Sequence, residues 1–295
     1  MGTGAGRGVA DTHPGGAMRS ARSTLLIAVA AAPAAIVVVG GLTSTALQSV
    51  GLLPFVGPPT FSTAAYESLA DDVAGAAALS LAIAGASTII AVIVGTTIAL
   101  VVMSGGWTSR ALAGLSAATV TVPHLVGAAA IGLLLADSGV IARVLHIPAG
   151  AWPSFVGGPW WSSVILEYAW KESAFVALVV AGTLVTRVAR FDETAAVLGA
   201  GRRTRVRLVL LPLARPSIII AGIIGFVYIL GSYEVAWLLG RTYPEPLSVM
   251  ALRLYGDVGL TARPLAAAVA MTIVGISAAA SALAFTALRR SAAWR

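Results

Sequence analysis

Cysteine is absent from the 295 residues. That removes a disulfide framework, thiolate metal ligands and a cysteine nucleophile together. Charge is almost as scarce: Asp, Glu, Lys and Arg make up 11% of the chain, where a soluble domain carries about a quarter. Lysine occurs once, at Lys171, and Glu172 follows it. A Gly-rich phosphate loop needs Lys followed by Ser or Thr, so any ATP chemistry has to come from another chain. The three histidines, His13, His124 and His146, are too scattered for a metal site, and no cofactor or metal is expected. His124, directly after Pro123, reads as a packed or pore-facing polar residue. There is no Ser–His pair, Asp dyad or His-x-x-x-His at a plausible depth, which argues against a membrane enzyme.

What is abundant is apolar sequence. Hydrophobic residues make up 58% of the chain, and the mean hydropathy is +0.92. A bilayer-spanning helix needs about 20 mostly apolar residues, and several runs reach that length. The expected fold is all-α, a membrane protein with about six transmembrane helices near 24–47, 73–103, 111–136, 162–187, 216–240 and 264–288. Residues 1–23 read as a disordered cytoplasmic tail and 24–290 as one transmembrane domain. A basic stretch before the first apolar run also fits a signal peptide, but the run is longer than a usual signal core and reads as an uncleaved helix. Pro123 falls inside the third span, which a membrane helix tolerates when neighbours satisfy the freed carbonyl. Trp152, Trp160 and Trp161 form a cluster of the kind that marks the membrane–water interface.

The net charge of +7 raises nucleic acid as a partner, but the arginines lie between apolar spans rather than on one face, so none is expected. Their placement instead gives an orientation. Fourteen arginines (7, 19, 22, 110, 187, 190, 202, 203, 205, 207, 215, 289, 290 and 295) fall on one side of a six-span arrangement, and Arg143, Arg241, Arg253 and Arg263 on the other. Cytoplasmic segments carry the excess of Lys and Arg, so both termini are expected in the cytoplasm. Heavy Arg and Ala use fits a high-GC bacterial gene, and the expected location is a bacterial plasma membrane.

The longest polar stretch after the N-terminal tail is 188–215. Within it, 193–212 reads ETAAVLGAGRRTRVRLVLLP. Glu193, Ala196, Val197 and Ala200 fall on one helical face, and Gly199 and Gly201 interrupt the pattern as in a turn between two short helices. Val206, Val209, Leu210 and Leu213 make a second apolar stripe. From the residues alone, this is an amphipathic helix pair that either lies on the inner membrane surface, its arginines touching lipid headgroups, or docks on a partner.

The stretch resembles the EAA loop in the permease subunits of binding-protein-dependent ABC importers. Glu193, Ala195, Gly199, Leu211 and Pro212 occupy the places of that motif, Leu198 and Ala200 flank the Gly, and Thr194 replaces a frequent Ala. The resemblance covers roughly 70–288 and implies a type I importer fold. It implies a non-catalytic translocation subunit working by alternating access. Its partners would be a cytoplasmic ABC ATPase dimer, a second permease (a related chain or a copy of itself) and an extracytoplasmic solute-binding protein. The residues implied to couple to the ATPase are Glu193, Ala195, Ala196, Gly199, Ala200, Leu211 and Pro212. Gly199 would permit a tight turn and a close approach of backbones. Glu193 would meet a basic residue of the partner or stabilise its own helix near the positive end of the dipole. Residues 230–255, beginning LGSYEVAWLLG, further resemble the polyamine and metal-ion branch, in which two different permeases are common.

Ionisable groups inside spans usually face a partner or a wet cavity. Glu167, Lys171 and Glu172 lie in the fourth span and Glu234 in the fifth. Glu167 and Lys171 are i, i+4 and share a face, which permits an ion pair, whereas Glu172 points elsewhere. Counting about 1.5 Å per residue, Glu167 and Glu234 lie roughly 9 Å below the outer ends of their spans and Lys171 roughly 15 Å. Glu167, Lys171 and Glu234 are therefore candidates for a solute path, in an acid-rich layer that suits a small, possibly cationic, polyamine-like solute. The same groups fit a structural ion pair, or an ion-gradient-driven secondary transporter or channel, and both remain open at this point.

Overall fold

A computed structural model describes residues 15–148, 150–185 and 189–292, with side chains over 26–148, 150–185 and 191–290. Among the described residues the chain is all-helical. Its α-helices are α1 (Gly15–Ser49), α2 (Ala64–Glu67), α3 (Ala70–Val102), α4 (Gly106–Thr121), α5 (His124–Leu135), α6 (Val140–Val144), α7 (Ser162–Thr183), α8 (Ala189–Val197), α9 (Arg202–Arg205), α10 (Leu211–Gly231), α11 (Glu234–Leu239), α12 (Leu247–Tyr255) and α13 (Arg263–Ala292). A π-helical turn, Val206–Leu210, joins α9 to α10.

Five helical stretches are long and apolar enough to cross a membrane: 26–49, 70–102, 124–144, 202–231 and 260–290. The remaining expected span, the fourth, corresponds to α7, whose 22 residues extend about 33 Å. It falls short on apolar character because it carries Glu167, Lys171 and Glu172, and all three are buried. Its charges are tolerable because α7 is the central helix, wrapped by protein rather than by lipid.

Shared core clusters fix the directions. Ile83 and Ala84 of α3 pack with Val164 and Tyr168 of α7, while Ala99 packs with Val176 and Val180. The two helices therefore run parallel, in the most extensive contact of the fold. α10 runs against them, with Ala214 beside Ala99 and Val180 and Ile229 beside Ile83 and Tyr168. α13 starts at the end of the bundle where α3 starts, since Ala266 and Val269 pack on Ala76. α1 packs mainly on α13, and its residues 26–43 are exposed.

Several boundaries differ from expectation. α1 begins at Gly15, because Ala17, Met18 and Ala21 are good helix formers. Residues 15–23 of the expected tail are thus helical, and 1–14 lie outside the described residues. The third span is two helices, α4 and α5, separated at Val122–Pro123. Proline has no N–H and excludes α backbone at the residue before it, and Val122 is extended (φ −70°, ψ 125°). The fifth span ends at Gly231 instead of 240, and α11 resumes after a break at Ser232–Tyr233. The tryptophans do not act together. Trp160 is 83% exposed, whereas Trp161 is buried and Trp152 donates its indole N–H to the Leu135 carbonyl at 2.8 Å, closing the end of α5.

Candidate functional site

Among the described residues, the candidates read from the sequence gather mainly at two places. The first is the break between α4 and α5. In a continuous helix the N–H at position 123 would bond to the Thr119 carbonyl, and proline cannot supply it. The Val122 N–H turns back to that carbonyl at 3.2 Å, and Lys171 adds a second donor. Its Nζ donates to Thr119 O at 2.7 Å and, at still shorter range, to Val122 O. Its ammonium is thus directed at two carbonyls and not at Glu167, which corrects the expected i, i+4 ion pair. The arrangement also sets a cation at the negative end of the α4 dipole.

Glu167 finds another partner. It is fully enclosed, and the Nδ1 of His124, at the start of α5, lies 3.2 and 3.3 Å from its two oxygens. The Nε2 of the same ring is 3.7 Å from Glu172. Glu172 therefore does not point away from the group as its helical position implied, because His124 bridges both carboxylates. The imidazole also lies against Tyr228, ring centroids 4.8 Å apart, and Tyr168 at 6.0 Å.

The second break, between α10 and α11, follows the same rule. The Ser232 carbonyl accepts from the Ser248 hydroxyl at 2.8 Å and from the Tyr168 hydroxyl at 3.4 Å. Glu234, two residues on, is half-buried and is coupled electrostatically to Tyr168 and Tyr228 without a direct bond to the His124 group. Of the four ionisable groups read from the sequence, Glu167, Lys171 and Glu172 meet at one break, while Glu234 belongs to the other. A cleft of about 250 Å³ opens beside the first, lined by Val120, His124, Lys171, Glu172, Phe175, Ile224 and Tyr228.

The other place is the polar stretch after α7. Arg187 and the side chain of Arg190 lie outside the described residues. α8 ends in a Schellman turn: Ala200 N–H bonds to Ala195 O and Gly199 N–H to Ala196 O, both at 3.0 Å. Gly199 has φ +82°, the left-handed region that suits glycine. A Cβ built there would meet no atom within 4 Å. The glycine is therefore required by backbone conformation, and among the described residues nothing comes close to it. Arg205 of α9 closes the hairpin with a 2.8 Å ion pair to Asp192 of α8, a pair that sequence reading missed.

The hairpin presents an apolar tip, with Val197 88% and Leu198 82% exposed. Glu193, Ala196 and Pro212 are exposed, while Ala195, Ala200 and Leu211 are half-buried. Glu193 is the fifth residue of α8, beyond the first turn, which weakens its reading as a charge at the helix N-terminus. The hairpin is rooted through Leu210, which packs beside Leu184 and Ala99.

Residues 88–290 match the family of binding-protein-dependent transport system inner membrane components. The chain belongs to that family. It is therefore a non-catalytic inner-membrane permease of an ABC importer, a class that pairs with an ATPase and a second permease, and the ion-gradient alternative falls. A comparison with curated protein sequences finds no match. Among solved structures, the chain is similar to a bacterial ABC transporter involved in the import of the acidic polysaccharide alginate. The TM-score is 0.73 and the identity 19%, over 91% of this chain and 96% of that one. It is similar also to the bacterial alginate ABC transporter in complex with an alginate pentasaccharide-bound periplasmic protein. There the TM-score is 0.72 and the identity 19%, over 91% and 95%. At that identity the likeness carries the fold alone, here the type I permease fold. Neither structure belongs to the polyamine and metal-ion branch that residues 230–255 resemble.

Proposed function

We propose that this permease is oriented with both termini and the α8–α9 hairpin in the cytoplasm, and that the hairpin couples it to the ATPase. The observation that carries the reading is the exposed Val197–Leu198 tip beside the left-handed Gly199. Two large apolar side chains at the end of a charged, braced hairpin are exposed, with no covering surface among the described residues, and exposed apolar groups rimmed by polar ones mark interaction sites. The positions of Glu193, Ala195, Ala196, Gly199, Ala200, Leu211 and Pro212 in the EAA pattern support the same assignment. The arginine distribution supports the orientation.

For the solute, we infer a small cation. Support comes from the acids grouped around the two helix breaks, Glu167, Glu172 and Glu234, against a single Lys171 whose ammonium is directed at carbonyls. The polyamine-like reading of residues 230–255 points the same way, and it favours a pairing with a related, non-identical permease. The test is expression of the full chain with its transporter, followed by purification through a tag on this chain. A complex that hydrolyses ATP and loses solute stimulation on Leu198→Asp supports the reading. Unchanged stimulation in that variant contradicts it.

A further inference from the structure

The charges at the α4–α5 break are not equivalent, and the difference singles out one of them. Glu167 is enclosed and faces His124 at 3.2 Å. Lys171 is directed onto the carbonyls of Thr119 and Val122. Both are engaged in holding the break. Glu172 makes no hydrogen bond among the described residues, and the nearest ring nitrogen, His124 Nε2, is 3.7 Å away. It is only 8% exposed, yet it lines the cleft of about 250 Å³.

Three features around that carboxylate define what fits. A Cβ at Gly225 of α10 would lie 3.1 Å from Glu172 Oε2, so α10 passes the carboxylate as bare backbone. The remaining walls include the rings of Tyr228 and Phe175 and the apolar Val120 and Ile224. Aromatic faces beside a carboxylate attract a cation that is partly apolar. A solute carrying a carboxylate would meet Glu172 and find the lysine turned onto the backbone.

We propose that Glu172, with Tyr228 and Phe175, forms a binding site for a protonated aliphatic amine on the solute's route. Glu167 and Lys171 are positioning residues that hold the break open beside it. The proposal rests on the importer reading above and goes beyond it by naming the residue and the chemical group. The ammonium donates to the Glu172 carboxylate, and its methylene chain lies against the rings.

The test uses the assembled transporter, purified through this chain and placed in lipid nanodiscs, with radiolabelled spermidine as probe and sorbitol as neutral control. The expected result is that wild type retains spermidine and not sorbitol. Glu172→Gln and Tyr228→Leu should each weaken retention about tenfold or more, with Glu172→Asp intermediate. Glu245→Gln, at the far end of the bundle, should bind as wild type. Wild-type retention by Glu172→Gln overturns the proposal. Should that variant not assemble, wild-type retention by Tyr228→Leu overturns it instead. A wild-type complex that hydrolyses ATP but holds no spermidine sinks this inference and leaves the importer reading standing. A chain that assembles with no ATPase sinks both.

Discussion

Lys171 Nζ lies 2.7 Å from the Thr119 carbonyl, the carbonyl that Pro123 leaves without its helical donor. The single lysine of the chain thus adds a donor to a carbonyl 52 residues away in sequence, one that otherwise has only the Val122 N–H at 3.2 Å. Removing one partner of a buried hydrogen bond costs about 1–3 kcal/mol, more when a charge is involved. Lys171→Met is therefore expected to lower the thermal midpoint of the purified chain. Pro123→Ala restores an N–H at position 123. In the double variant the penalty of Lys171→Met should shrink, a coupling read directly from a double-mutant cycle. Strict additivity of the two changes would show that the lysine serves something other than the break.

The hairpin brace gives a second prediction. Asp192 and Arg205 are each roughly a quarter exposed, so their pair contributes about 1 kcal/mol or less to stability. Its role is to fix the angle between α8 and α9. Asp192→Arg or Arg205→Asp alone should uncouple ATP hydrolysis from solute while leaving the melting temperature nearly unchanged. The exchanged double variant should recover coupling. Failure of the exchange to recover any coupling would remove the brace from the account.

Gly199 separates a backbone requirement from a space requirement. With φ at +82° and open surroundings, Gly199→Asn should be tolerated in this chain, since Asn visits that region. Gly199→Ala should cost about 1–2 kcal/mol locally and Gly199→Val more. Protease susceptibility of the hairpin in the isolated chain measures the order, which should run Gly, Asn, Ala, Val. Equal susceptibility of the Asn and Val variants would contradict it.

Orientation is testable because the chain has no native cysteine. Thr204 and Thr242 are both exposed and flank opposite ends of α10. A membrane-impermeant thiol reagent applied to intact cells should label Thr242→Cys and spare Thr204→Cys. The reverse pattern would invert the proposed topology.

The spans and the polar hairpin were legible because apolar runs and arginine placement are properties of the linear chain. The left-handed turn at Gly199 was legible from glycine spacing, and the disturbance at Pro123 from proline itself. What filled that disturbance was not. Helical spacing made Glu167 the natural partner of Lys171, but the carbonyls at the break, Val122 O and a Thr119 O held only by the Val122 N–H at 3.2 Å, draw the ammonium, while His124 meets the carboxylate. His124 looked isolated because its partners, Glu167 and Glu172, lie on another helix, 43 residues away in the case of Glu167. Asp192–Arg205 joins residues on two different short helices and carries no periodic signal. Trp161 turned inward because the chain starts α7 there in a left-handed conformation (φ +54°), which no composition rule anticipates.

The most direct measurement is site-specific crosslinking from the hairpin tip in intact cells. A photo-crosslinking residue at position 198 should capture the ATP-hydrolysing subunit, and the same residue at position 258, 98% exposed in the loop between α12 and α13, should not. Capture from 258 with none from 198, or from neither position in a transporter that is active, would contradict the assignment of the α8–α9 hairpin as the coupling element.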